Sequence, residues 1–469
     1  MSPTATLAPQ AAAPRPAAPE TPTLAARFAA VRAQTERLCE PLATEDYVVQ
    51  AMEDVSPTKW HLAHTTWFWE TFVLGEYAPG YTLHDERYPF LFNSYYVQAG
   101  ERHCRAQRGY LSRPTVEQVF AYREAVTGAM QAFLSTFDER ERPDVANVVE
   151  IGLQHEQQHQ ELMLTDLKYV FSVNPLRPAY RERAHAAAPD PGPLAWVEGA
   201  SGVAEVGFSA PGAETSRERF HFDNEGPRHR VFLEPHALAD RLVTVGEMMA
   251  FVEDGGYRRP ELWLVEGWAK AQAEGWTCPF YWEPPGVNAD RWEHFTLSGM
   301  RALDPHEPAT HVSFYEADAF ARWADASGVA PGARLASEAE WEVAARTVWD
   351  GTTADGSAPG SYVDAGRLHP APAPAPPEAS GDGAPPAPRL RQMYGECWQW
   401  TESAYRPYPG YRAEAGALGE YNGKFMSGQM VLRGGSVATP QSHIRPTYRN
   451  FFHPPATWQF TGIRLAKSL

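Results

Sequence analysis

The stretch DVANVVEIGLQHEQQHQELMLTDLKYVF, residues 144–171, limits the fold more than any other part of this chain. Its apolar residues recur at steps of three and four, which predicts one long helix with a buried stripe. Val148, Ile151, His155, His159 and Leu162 share that stripe. The face that must be buried therefore carries two imidazoles one helical turn apart. Imidazoles pointing together into a core are either hydrogen-bonded structural groups or metal ligands. His155-Glu156-x-x-His159 also fits the zinc-protease pattern, in which the glutamate is the general base, but five residues alone do not establish that chemistry.

Three earlier segments have the same helical spacing: TLAARFAAVRAQTERLCEPL (23–42), SPTKWHLAHTTWFWETFVL (56–74) and TVEQVFAYREAVTGAMQAFLSTF (115–137). Four such helices over residues 23–175 predict a helical bundle. The prolines of SVNPLRPAYRERAHAAAPDPGP (172–193) end the periodicity and mark a boundary. From residue 193 to 469, Gly, Pro, Trp and short alternating stretches predict an α+β domain. Its expected strands include HRVFLEPHALA and QMVLRGGSVAT, and its expected short helices TVGEMMAFVEDGG, YEADAFARWADASG and SEAEWEVAARTVW. Residues 355–389 read as a low-complexity Pro/Ala/Gly surface loop, and residues 1–22 as a disordered Ala/Pro tail.

A formal charge of −17 argues against nucleic acid or an anionic membrane as partner. No apolar run is long enough to span a bilayer. Cys39, Cys104, Cys278 and Cys397 are far apart and form no C-x-x-C pair, as expected of reduced thiols in the cytoplasm.

A third metal ligand is available on the second helix, where KWHLAHTTW carries His61 and His64. They lie three residues apart, and spacing does not choose between them. A zinc protease needs a further ligand soon after its motif, and Asp166 is the nearest carboxylate. Three imidazoles are instead a variant of the two-His-one-carboxylate set that holds Fe(II) with open positions. A zinc-dependent hydrolase using Glu156 is the alternative.

With those residues identified, the chain resembles the iron-dependent sulfoxide synthases of ergothioneine biosynthesis and the related selenoneine synthases. The resemblance rests on SPTKWHLAHTTWF, LFNSYY, RGYLSRPT, HEQQHQELMLTD, YNGKFMSGQMVLRGGS and TYRNFFHPPATWQFTGIRLA. It implies a DinB-like four-helix bundle, a C-terminal domain like the formylglycine-generating enzymes (C-type-lectin-like), and an active site between them. It implies Fe(II) held by His64, His155 and His159, with His61 as a neighbour. It assigns Tyr95 and Tyr96 to catalysis beside the iron. Gln158 is expected to meet the imidazole of hercynine, and Asn450 and Phe451 its carboxylate and trimethylammonium end. Arg102 and Arg105, in the cationic cluster ERHCRAQRG, are candidates for holding the donor. The implied reaction is O2-dependent bonding of sulfur or selenium to the imidazole C2 of hercynine. Cys104, Cys397, Gln399 and Val437 depart from the sulfur-using pattern, so a cysteine-type thiol and a selenosugar both stay open as donor.

Overall fold

The computed structural model describes residues 22–209, 220–286, 289–349, 360–375, 387–413, 419 and 422–469. Four long helices occupy the N-terminal part: α1 (Leu24–Cys39), α2 (Thr58–Trp69), α3 (Val116–Ser135) and α4 (Pro143–Val173). Thr23 caps α1 by accepting from the Ala26 N–H at 3.2 Å. Thr115 and Gln118 cap α3 reciprocally, so the box uses Gln118 rather than the neighbouring Glu117. α2 packs on α3 and α4, while α1 packs on α4 and α3. Every residue of α2 is buried, and its end widens into a π turn at Glu70–Leu74.

Gly152 explains how closely α2 and α4 cross. A Cβ at that position would lie 2.5 Å from the Trp69 ring and 3.0 Å from Phe68. Only glycine lets the two helices meet there, and the meeting brings the histidines of α2 to those of α4.

The C-terminal part is built from small sheets and short helices. Strands β1 (Trp196–Glu198), β2 (Gly202–Val206), β3 (His229–Leu233) and β4 (His236–Ala239) come first. They are followed by α5 (Val245–Glu253), α6 (Val265–Glu274), β5 (Trp282–Glu283), β6 (Glu293–Thr296) and β7 (Gly299–Ala302). Then come α7 (Phe314–Ala326), β8 (Ala333–Leu335), α8 (Glu338–Val348) and β9 (Trp398–Ala404). The chain ends with β10 (Met430–Arg433), β11 (Asn450–Phe452), β12 (Thr461–Gly462) and β13 (Leu465–Ser468). Two four-stranded sheets are ordered β1-β4-β13-β8 and β11-β10-β9-β12. In the second, Asn450 pairs with Leu432 and Phe451 with Val431.

The three expected short helices and both expected strand stretches form. α6 is an element the sequence reading passed over. The expected surface loop at 355–389 needs a correction, because Tyr362, Val363, Leu368 and His369 are buried in the core. Residues 355–359 and 376–386 of that region, and the expected tail but for residue 22, lie outside the described residues. No described helix is long and apolar enough to cross a membrane.

α4 reaches beyond the bundle and ties the two parts together. Trp398 Nε1, Ser436 Oγ and Thr439 Oγ1 all donate to the Glu161 carboxylate, at 2.7, 2.6 and 2.7 Å. Gln157 donates to Ser442 Oγ at 2.6 Å.

Candidate active site

His64, His155 and His159 converge, with one ring nitrogen of each within 4.8 Å of the others. His64 and His155 are buried and His159 is half-buried, and desolvation pushes each below the usual imidazole range, His155 to about 3. Neutral imidazoles with inward lone pairs are what a divalent cation requires. His64 is clamped between Trp60, stacked at 4.5 Å, and Trp67, stacked at 5.4 Å. Its Nδ1–H donates to the Phe92 carbonyl at 2.5 Å, which leaves the Nε2 lone pair facing His155 at 3.1 Å.

Hydrogen bonding separates His61 from His64. Asp166 is an acceptor, so His61 donates its Nε2–H to Asp166 Oδ2 at 3.1 Å. The Nδ1 of His61 then accepts from His159 Nδ1 at 2.8 Å, which leaves the His159 Nε2 lone pair as the one that could hold a metal. His61 orients His159.

Glu156 stands apart from this chemistry. Its carboxylate is fully buried on the other side of α4. It accepts from Arg32 at 3.1 Å, Arg123 at 2.7 Å, Trp69 Nε1 at 2.8 Å and Thr35 Oγ1 at 2.7 Å. Burial alone would raise this carboxyl, but the two guanidiniums outweigh it and hold it well below the usual carboxylate range. A protease base must reach a metal-bound water. Glu156 is locked in a structural ion pair, so the hydrolase alternative loses its base.

A cavity of about 640 Å³ opens beside His159, and its wall comes from both parts of the chain. Tyr95, Arg102, Arg105, Gln158, Asn450 and Phe451 all line it. Tyr96 is fully buried behind Tyr95, with rings stacked at 4.6 Å and hydroxyls 3.5 Å apart. Arg102 and Arg105 lie at the exposed rim and donate to the carbonyls of Ser94 and Asp54. Asn450 Oδ1 accepts the Phe451 N–H at 2.8 Å, so its NH2 end is the one available for an anion. Phe451 stacks on Tyr405 at 4.1 Å and lies 5.8 Å from Phe425.

Arg108 belongs to the cationic cluster ERHCRAQRG, yet it is buried at the cavity rather than on a solvated face, and Glu161, Tyr448 and Gln459 are cavity residues that the sequence did not single out. Arg108 lies 3.3 Å over the Trp60 ring and donates to Ser56 and Ser94; burial above all, then Arg105, pulls it down to about 8. Glu161 and Tyr448 face the cavity from α4 and from the β11 approach. Gln459 is buried in the wall, and neither end of its amide has a hydrogen-bond partner among the described residues. Such a group is ready for a polar ligand atom. None of these sits in a spacing pattern that names a role.

A second group, His294, Glu307 and His369, also gathers within 4.8 Å among the described residues. Arg301 already lies between Glu307 and His369 and hydrogen-bonds both. Its guanidinium supplies the positive charge there, so this cluster is a buried ion pair with attendant imidazoles.

This architecture defines a class. Residues 27–163 match the DinB superfamily, and residues 200–469 match the sulfatase-modifying factor enzyme 1-like domain. The hercynine oxygenase of Mycolicibacterium thermoresistibile is 32% identical over 437 residues, which is 88% of this chain and 87% of that protein. The hercynine oxygenase of Mycolicibacterium smegmatis is 32% identical over 457 residues, 95% of this chain and 98% of that one. A formylglycine-generating enzyme of Streptomyces coelicolor is 27% identical over 335 residues, 60% of this chain and 94% of that one. The chain belongs to the hercynine oxygenase family.

Proposed function

We propose that this chain is a nonheme iron(II), O2-dependent synthase that bonds sulfur or selenium to the imidazole C2 of hercynine. The observation that carries this reading is three neutral imidazoles, His64, His155 and His159, gathered together with His159 in the wall of a cavity that both parts of the chain enclose. Iron(II), held by those three residues, supplies the activation of O2. With a thiol donor the balance is C2–H plus R–S–H plus O2 giving the C2 sulfoxide and one water.

The chain's own residues bind and orient the reactants. Gln158 accepts from the ring of hercynine, and Asn450 Nδ2 donates to its carboxylate. The trimethylammonium has no N–H, so it is held by aromatic faces, Phe451 and Phe425, with the Glu161 charge nearby. Arg102 and Arg105 take the donor at the rim. Tyr95, on the cavity side of the stacked pair, passes a proton to or from the reacting atoms, and Tyr96 holds Tyr95 in place. The same reading divides the chain into a bundle domain (23–175) and a formylglycine-generating-enzyme-like domain (193–469). Four free thiols suit the reducing cytoplasm.

The test is to supply the iron-loaded protein with hercynine, O2 and, in separate reactions, cysteine, γ-glutamylcysteine and a selenosugar. The product mass names the donor. No coupled product from any donor, together with stoichiometric zinc and peptidase activity, overturns the reading.

A further inference from the structure

Gln154 and Gln158 lie one turn apart on α4, and two residues of the C-terminal part bridge them. The bridge starts at an ion pair. Arg27 Nη1 and Nη2 donate to Glu150 Oε2 and Oε1 at 2.5 and 2.6 Å. Gln154 Nε2 donates to Glu150 Oε1 at 2.8 Å. Because a carboxylate only accepts, Gln154 must turn its NH2 toward Glu150 and its carbonyl away. That carbonyl accepts from His443 Nδ1–H at 2.6 Å. His443 is buried, and burial followed by Arg445 holds it well below the usual imidazole range, so its Nε2 carries a lone pair. Tyr448 has a single hydroxyl proton, and it goes to that lone pair at 3.0 Å. The Tyr448 oxygen can then only accept from Gln158, which it does from Nε2 at 2.6 Å.

Each link therefore allows one direction only. The ion pair sets Gln154, Gln154 sets the His443 tautomer, His443 sets the Tyr448 hydroxyl, and Tyr448 sets the Gln158 amide. We propose that this relay is a polarity device: it makes Gln158 offer its carbonyl oxygen rather than its NH2 to the ligand, so the cavity selects an imidazole that presents a ring N–H. His443, Tyr448 and Gln154 are on this account positioning residues that act through Gln158. The proposal rests on the reading above, in which the hercynine ring lies beside Gln158. It adds that a hercynine methylated on the ring nitrogen that meets Gln158 is rejected.

The experiment is a calorimetric titration of hercynine into the iron(II)-loaded protein without O2, in five forms: wild type, Gln158→Ala, Tyr448→Phe, His443→Leu and the double variant Tyr448→Phe/Gln158→Glu. Losing one neutral hydrogen bond or its orientation predicts affinity falling about 5- to 10-fold in each single variant. The double variant recovers most of the loss, because a carboxylate has no donor end and needs no orienting. Tyr448→Phe keeps the ring packed against Trp398 at 5.5 Å, so a purely structural role would give neither the loss nor the recovery. Full affinity in Tyr448→Phe, or a double variant no better than Tyr448→Phe, overturns the relay. Full affinity in Gln158→Ala instead removes the imidazole reading on which it stands. His443→Leu checks the same chain one link farther from the ligand, leaving the Tyr448 hydroxyl in place.

Discussion

The two faces of α4 meet within five residues and behave as different materials. On one face His155 and His159 are neutral, and their lone pairs point into a space shared with His64. On the other, Glu156 is ionised and saturated by four donors. Both faces lie largely inside the protein, and what separates them is whether the polar atoms already have matching groups. A face whose needs are met holds the bundle together, whereas a face of aligned lone pairs calls for a cation. The HExxH pattern spans both, which is why it does not report a protease here.

The largest expected effect comes from emptying the first face. His64→Ala, His155→Ala or His159→Ala removes one of three ligands with no spare, so turnover is abolished while the fold survives. Iron analysis by mass spectrometry and far-UV circular dichroism check both halves of that statement. His294→Ala and His369→Ala should leave iron at wild-type content, since Arg301 already balances that cluster. Iron that follows His369 rather than His159 would exchange the roles of the two clusters.

Glu156→Gln tests the second face. It leaves buried Arg32 without a carboxylate and Arg123 with only Glu36 at 3.2 Å, at a cost of about 3–5 kcal/mol in unfolding free energy. Turnover per folded molecule should stay near wild type, and a loss of several orders of magnitude would restore Glu156 as a base. The pH dependence has a definite sign. A carboxyl held below its unfolded value, about 4.3, gives stability that is present above that pH and is lost as the pH falls below it. Urea melts between neutral and acid pH should show this loss in the wild type and a flatter acid arm in Glu156→Gln.

Gly152→Ala probes the crossing that puts the two helices' histidines together. The added methyl meets the Trp69 ring, and overpacking of this kind costs about 1–3 kcal/mol. Iron affinity should fall with stability, because the displacement separates His64 from His155. Unchanged iron affinity in a destabilised protein would show that the histidines do not depend on this contact.

The smallest effect concerns the part of the cavity that comes from far along the chain. Phe451→Ala should weaken hercynine binding by about 1–2 kcal/mol, the size of a desolvated cation–π contact. It should also lower the ratio of kcat/KM for hercynine over histidine. If that ratio holds while the protein stays folded, Phe451 belongs to the stack on Tyr405 and the cation is caged elsewhere.

The candidate site was legible in sequence to different depths. His155 and His159 stood out because helical periodicity relates residues three and four apart, and both fell on an apolar stripe. His61 and His64 could not be separated by spacing; the difference lies in Asp166 and the Phe92 carbonyl, which only the folded chain brings to them. Gln154 and Gln158 look like any polar pair on a helix until His443 and Tyr448 arrive from nearly 290 positions away. Arg108 reads as one charge in an exposed run, yet it lies over Trp60. Tyr362 and His369 sit in a stretch whose composition signals a surface loop, and packing overrides that signal.

By itself the sequence determined the four helices, the change to α+β texture, the buried imidazole stripe and the absence of any long apolar run. All of these follow from periodicity and composition, which act over a few residues at a time. Tertiary structure alone decided that His64 rather than His61 gathers with His155 and His159, that Glu156 is held in an ion pair, and that Gln158 donates to Tyr448. Those are questions of which donor faces which acceptor, and hydrogen bonds across distant segments exist only once the chain has folded.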